Sequence, residues 1–223
     1  MSVALARPVE AVVFDMDGLL IDSEVMVRAA VRRAARSVER DFPDALYAST
    51  MGRSDAAYLA AVRAHFGPDF PMDRFMEAEA LEIRRELAGG VALKAGVVEL
   101  LDHIDRLGLP CAVATSSLRA SAERHLGEHG LFGRFRTIVA REDVTEHKPH
   151  PAPYLEAARR LGVAPAACLA LEDSHNGVRA AHAAGMMTVM VPDLLDPTEE
   201  MRTLCAHVVE SLHGVRRLLD EGA

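Results

Sequence analysis

Residues 11–20 read Ala11-Val12-Val13-Phe14-Asp15-Met16-Asp17-Gly18-Leu19-Leu20. An apolar run passes without a break into two carboxylates two positions apart, and a glycine follows at once. A short continuous apolar run ended by turn chemistry is the pattern of a strand buried on both faces. Such strands belong to parallel sheets covered by helices on either side. Two carboxylates at the end of a buried strand repel each other and are expensive to desolvate, so the arrangement points to a cation or a catalytic task. A calcium loop would need its glycine later and an oxygen ligand where Leu19 stands. A solvated acidic turn stays open as an alternative, although the Val-Val-Phe run before it argues for burial. The phosphate-cradling patterns GxxxxGK[ST] and GxGxxG do not occur.

Outward from this stretch, further strand-like runs fall at Cys111–Thr115, Thr137–Ala140, Cys168–Glu172, Met187–Val191 and His207–Val209, with the first spanning Val9–Asp15. Amphipathic helical patterns separate them at Val97–Leu107, Arg119–His129, Pro153–Leu161, Asn176–Ala184 and Leu212–Leu219. Strand–helix alternation predicts an α/β fold on a parallel sheet. The alternation begins only after residue 90. Between the first strand and that point, Val25–Arg40, Asp55–Phe66 and Arg74–Leu87 carry apolar residues at helical spacing, with Ala, Leu, Glu and Arg favouring helix. Pro43, Gly52, Gly67-Pro68, Pro71 and Gly89-Gly90 break them apart. The prediction is an α/β core of residues 1–19 and 94–223 with a helical insert at 20–93, placed above the carboxyl ends of the strands, where open α/β sheets bind ligands.

The chain has 223 residues, 33 acidic against 25 basic, and a formal net charge of −8, with an isoelectric point of about 5.7. That length suits one large domain or a domain with an insertion. The acidic balance argues against nucleic acid as a partner, which would call for a basic stripe. No apolar run approaches the ~20 residues of a membrane span, and residues 1–15 lack the pattern of a secretory leader. Cys111, Cys168 and Cys205 are odd in number and widely spaced, so free thiols and a cytoplasmic location are expected. Cys205 and His207 lack the second pair that a zinc site requires. Only two lysines occur, Lys94 and Lys148, so any lysine chemistry has two candidates.

Three more signals fall at strand ends. Thr115-Ser116-Ser117 offers hydroxyls and backbone N–H groups before a helix, which suits an anion or an ordinary helix cap. Lys148 sits in His147-Lys148-Pro149-His150-Pro151, where prolines would hold it in place; the alternative is a solvated surface charge. Leu171-Glu172-Asp173-Ser174 ends the fourth strand in a second acidic pair. Four carboxylates and a lysine at one sheet edge would be strongly unfavourable without a divalent cation, and hard oxygen ligands point to Mg²⁺.

Taken in order, Asp-x-Asp-Gly-Leu-Leu-x-Asp-Ser-Glu at 15–24, Thr-Ser-Ser at 115–117, Lys148-Pro149 and Glu172-Asp173 resemble the four motifs of the haloacid dehalogenase-like hydrolase superfamily, over residues 11 to about 192. The Glu-Asp form of the last motif and the helical insert resemble the branch that holds β-phosphoglucomutases and sugar-phosphate phosphatases. The resemblance implies a Rossmann-like core with a helical cap, and a Mg²⁺-dependent phosphatase acting on small phosphorylated metabolites. It implies Asp15 as nucleophile and Asp17 as general acid and base. It implies Asp15, the Asp17 carbonyl, Glu172 and Asp173 as metal ligands, and Thr115, Ser116, Lys148 and Gly18 as phosphate-binding residues.

Some features separate the branches. Asp17 favours phosphoryl transfer over dehalogenation, because dehalogenases that this fold resembles lack the second Asp. Residues 20–93 hold no lysine for a Schiff base, which argues against a phosphonatase; Lys94 lies at the expected cap hinge. Related β-phosphoglucomutases carry a His early in the cap where this chain reads Glu24-Val25-Met26-Val27-Arg28, so a phosphatase stands ahead of a hexose phosphomutase. A silent binding module would have lost Asp15 or Asp17, and both are present. Gly52-Arg53 resembles a cap position that contacts phosphate or sugar, against the equal alternative of a solvated Arg53. His125, His129, His175 and His182 are expected to be packed or solvated and not ligands. The oligomeric state is left open.

Overall fold

The structure is a computed structural model that describes residues 5–51 and 55–221. Two compact units emerge, one formed by Met1–Ile21 with Leu93–Ala223 and the other by Asp22–Ala92.

In the first unit the apolar runs become β1 (Ala11–Phe14), β2 (Cys111–Ala114), β3 (Thr137–Val139), β4 (Cys168–Glu172), β5 (Met187–Met190) and β6 (His207–Val208), most of them trimmed at the ends. They form one sheet in the order β3-β2-β1-β4-β5-β6, parallel throughout. The chain order reverses between β1 and β4, and ligands of open α/β sheets bind at that switch point, outside the carboxyl ends of the strands. Side chains alternate across the sheet. On one face small residues, Ala11, Val13, Ala112, Ala114 and Ala170, pack with Tyr154, Ala157 and Leu161 of α7 (Ala152–Leu161) and with Ala180 and Ala181 of α8 (His175–Ala183). The alternate residues Val12, Phe14, Val113, Leu169 and Leu171 are fully buried as well, so both faces are covered. Each such side chain contributes about 1.5–3 kcal/mol when withdrawn from water. The other helices of this unit are α5 (Val97–Arg106), α6 (Arg119–Glu128), α9 (Glu199–Leu204) and α10 (Leu212–Glu221).

The second unit holds α1 (Glu24–Ser37), α2 (Asp44–Thr50), α3 (Asp55–Phe66) and α4 (Met72–Leu87). Its centre is aromatic: Phe42 stacks on Phe75, and Phe66 on Phe70. Arg33 of α1 binds Glu82 and Glu86 of α4, and Tyr58 of α3 donates to the buried Glu79 of α4. Helix α1 ends at Ser37, short of the expected Arg40, because Glu39 takes a positive φ of 57°. Pro43 stands immediately ahead of α2, a helix too short to show a full apolar period.

Candidate active site

The site grows from the switch point. Phe14 of β1 pairs with Leu171 of β4, and the Asp15 N–H donates to the Leu171 carbonyl at 2.9 Å. The ladder therefore carries Asp15 one residue beyond its strand, beside Glu172 and Asp173. All three are buried, and each offers an oxygen within 4.8 Å of the others, the one such cluster among the described residues.

Lys148, on the loop before α7, also turns inward. Its Nζ donates to Asp15 Oδ1 at 2.5 Å and to Glu172 Oε1 at 2.6 Å, and only 6% of the side chain is exposed. The surface-charge alternative is thereby excluded. Burial alone would lower the Lys148 pKa, but Asp15 and Glu172 together outweigh it and hold the ammonium charged. For Asp15, burial dominates and pushes the carboxyl up to about 8, with Glu172 and Asp17 adding to the rise and Lys148 opposing it. One ammonium does not balance this group of carboxylates. The site, built of hard oxygens alone, fits a small divalent cation.

Glu172 accepts five hydrogen bonds. Its Oε1 accepts from Lys148 and from the Tyr154 hydroxyl, the latter at 2.6 Å. Its Oε2 accepts from the N–H groups of Asp173 and Ser174 and from Ser174 Oγ. Gly177, in the first turn of α8, leaves room for this carboxylate, since a Cβ there would overlap it. Tyr154 is fully buried, and its ring lies 5.0 Å from Lys148 Nζ. Burial first, and Glu172 second, keep its hydroxyl a neutral donor.

On the other side of β1, the strand end of β2 supplies hydroxyls. Ser117 Oγ donates to Asp17 Oδ2 at 2.7 Å, and Thr115 Oγ1 lies 3.4 Å from the same oxygen. Thr115 Oγ1 in turn accepts from the Ser117 N–H, and Ser116 between them is exposed. The helix-cap alternative fails here: α6 is entered through Leu118, and the Arg119 N–H finds Glu142 instead. Gly18 has φ 80°, in the region open to glycine, and a Cβ would collide with Asp173.

Asp15, Asp17, Gly18, Thr115, Ser116, Glu172 and Asp173 thus stand at the carboxyl ends of β1, β2 and β4, and Lys148 reaches Asp15 and Glu172 from the loop before α7, whereas Arg53 lies outside the described residues. His125 is buried in α6 and His129 is exposed, while His175 and His182 meet the backbone carbonyls of Asp196 and Leu204. The three cysteines are buried free thiols. No helix among the described residues is long and apolar enough to cross a membrane. Neither Tyr154 nor Ser117 stands out in the sequence as the partner of Glu172 or Asp17 that it proves to be. Tyr154 reads as an apolar position of an amphipathic helix, and only its hydroxyl in a full core could have raised the question.

Residues 9–185 match the model of the haloacid dehalogenase-like hydrolase family. The chain is 31% identical over 198 residues to the protein CbbY of Rhodobacter capsulatus, covering 82% of this chain and 85% of that one. It is 29% identical over 214 residues to the phosphorylated carbohydrates phosphatase of Thermotoga maritima, covering 96% and 92%. Among solved structures, that of CbbY from Rhodobacter sphaeroides in complex with xylulose-1,5-bisphosphate superposes with a TM-score of 0.75 at 27% identity, over 92% of this chain and 95% of that one.

Proposed function

Because the chain belongs to the haloacid dehalogenase-like hydrolases and is a phosphoric monoester hydrolase, we propose that it is a Mg²⁺-dependent phosphatase of small phosphorylated metabolites, sugar phosphates foremost, acting through an aspartyl phosphate on Asp15. The observation that carries this is the meeting of Asp15, Lys148 and Asp173 at one sheet edge, with Asp17 held by Ser117 beside them. The names of the carbohydrate phosphatase and of the sugar-bisphosphate complex support the substrate class.

Asp15 attacks phosphorus, forming an O–P bond as the ester O–P bond breaks, and the covalent step divides one hard transfer into two easier ones. Asp17 gives its proton to the leaving oxygen. It then takes a proton from water as that water attacks the aspartyl phosphate, which frees Asp15 and inorganic phosphate. Ser117 and Thr115 fix the Asp17 carboxyl for both transfers. Lys148 keeps a positive charge against Asp15 and the incoming phosphate, offsetting the repulsion between two anions. Thr115, Ser116 and Gly18 supply the surroundings of the phosphoryl oxygens. Asp15, Asp173 and the Asp17 carbonyl would hold Mg²⁺, which supplies charge neutralisation at the phosphoryl group when bound. Glu172, the third carboxylate of that cluster, would complete the set, and its hydrogen bonds also hold Lys148 and the β4–α8 turn. Residues 20–93 form the substrate-selecting unit, with Arg53 as one candidate contact.

The test is phosphate release from a panel of sugar phosphates and nucleoside monophosphates, with Mg²⁺ and with chelator. Release that needs Mg²⁺ and disappears in Asp15→Asn is expected. No release from the panel, or release indifferent to Asp15→Asn, would overturn the assignment. Interconversion of hexose 1- and 6-phosphates outrunning release would make the chain a mutase.

A further inference from the structure

Three residues past β5, Asp193 brings a further carboxylate to the same sheet edge. Strand β5 pairs with β4 through Glu172 and Met190, and the Val191 N–H donates to the Glu172 carbonyl at 2.7 Å. The loop that follows is therefore set beside Asp173. Asp193 Oδ1 accepts from Lys94 Nζ at 2.6 Å, and its side chain is only 10% exposed. The other oxygen, Oδ2, is buried and accepts no hydrogen bond from the protein. A buried carboxylate oxygen without a donor is costly, so a native site that keeps one has a donor in mind.

Its surroundings say which. Oδ2 lies 3.4 Å from the point a Gly18 Cβ would occupy, and Asp173 Oδ2 and Cγ lie closer still to that point. Asp193 Oδ2 and Asp173 Oδ2 thus both border the space that glycine leaves open. Lys94 is itself fixed, since its N–H donates to the Leu20 carbonyl at 3.0 Å and Leu93 bridges Ile21. Its ammonium offsets the Asp193 charge and holds Oδ1, leaving Oδ2 beside the space at Gly18. A small divalent cation keeps several waters when the protein supplies few oxygens, and those waters are strong donors that require acceptors.

We propose that Asp193, oriented by Lys94, is a positioning residue of the metal site: Oδ2 accepts a hydrogen bond from a water of the cation's hydration shell beside Asp173. This rests on the Mg²⁺ assignment above. It differs from a ligand role, because Asp193 would touch the ion only through water. It also gives the second lysine of the chain a task distinct from that of Lys148.

The test is calorimetric titration of chelator-stripped protein with Mg²⁺ alone, run on the wild type and on Asp173→Asn, Asp193→Asn, Asp196→Asn and Lys94→Met. Loss of an outer-shell acceptor weakens metal binding by about 10- to 100-fold, and Asp193→Asn is expected to fall in that range because its amide puts a donor where Oδ2 accepted. Asp196→Asn removes the same charge from an exposed position of the same loop and is expected to bind within about twofold of wild type. Lys94→Met frees the carboxylate and is expected to weaken binding, whereas a bare charge effect would strengthen it. Wild-type affinity in Asp193→Asn, equal weakening in Asp193→Asn and Asp196→Asn, or tighter binding in Lys94→Met would each overturn the proposal. If Asp193→Asn does not fold, Lys94→Met decides alone. Saturable Mg²⁺ binding lost in Asp173→Asn but kept in Asp193→Asn would remove this proposal and leave the metal assignment standing. No Mg²⁺ binding by the wild type would remove both.

Discussion

Gly177→Ala sets two effects of opposite sign against each other. Alanine exceeds glycine as a helix former by up to about 1 kcal/mol, so propensity alone predicts a stabilised protein. The structure predicts the reverse. A Cβ at 177 would occupy the space of the Glu172 carboxylate, which is fully buried and cannot retreat to solvent. If Glu172 swings aside, it gives up its bonds to Lys148 and Tyr154, each worth about 1.5–3 kcal/mol for a charged partner. Subtracting the propensity gain leaves a net loss of about 2–5 kcal/mol, or a melting temperature lower by about 4–20 °C for a chain of this size. Activity should fall as well, because Lys148 loses one of the two carboxylates that aim it. Gly127→Ala is the matched control: it lies in α6 with nothing within 4 Å of a new Cβ, so it should be neutral or gain up to about 1 kcal/mol. Thermal unfolding and phosphate release on both variants provide the measurement. A Gly177→Ala protein that melts at or above wild type with unchanged turnover would refute the claim that Glu172 needs that space.

Tyr154→Phe keeps the ring beside Lys148 and deletes only the hydroxyl. Because Oε1 retains Lys148, the cost should be about 1–2 kcal/mol, a fall of about 2–8 °C in melting temperature, with no gain in activity. Asp17→Asn should lower turnover by about 10²–10⁴-fold, measured under saturating substrate, while Mg²⁺ binding through its backbone carbonyl persists. Burial raises the Asp15 carboxyl from 3.8 to about 8, so the folded chain holds that proton more tightly than the unfolded one. The resulting stability is fully present below about pH 4 and is lost as pH rises through about 8. In chelator the melting temperature should therefore fall between pH 6 and 9. Mg²⁺ should restore it at the alkaline end, and Asp15→Asn should flatten the profile.

The strands could be read because parallel strands buried on both faces are nearly uninterrupted apolar runs, and Val12-Val13-Phe14 or Cys168–Leu171 allow little else. Asp15 and the Glu172-Asp173 pair could be read because their charges stand where apolar pattern demands burial, and Lys148 because it is one of two lysines and is flanked by prolines. The short helices α2 and α9 are not legible in the sequence, since one or two turns are too short to carry a period. Ser117 was visible only as one of a run of hydroxyls, and its tie to Asp17 crosses from β2 to β1. Asp193 lies in a loop with no pattern, and its significance arises only when β5 sets it against Gly18. Motif spacing reports what the strands deliver, and stays silent about neighbours brought in from other strands.

The near-absence of lysine has a practical consequence. Of 25 basic residues only two are lysines, and their side chains are 27% and 6% exposed, both in ion pairs. The arginine-rich exterior offers amine-directed reagents almost nothing to acylate among these side chains. Slow labelling at Lys148 would thus report how often the grip of Asp15 and Glu172 opens, residue by residue and without an engineered probe. In most enzymes that signal would be drowned by surface amines; here the composition itself removes the background.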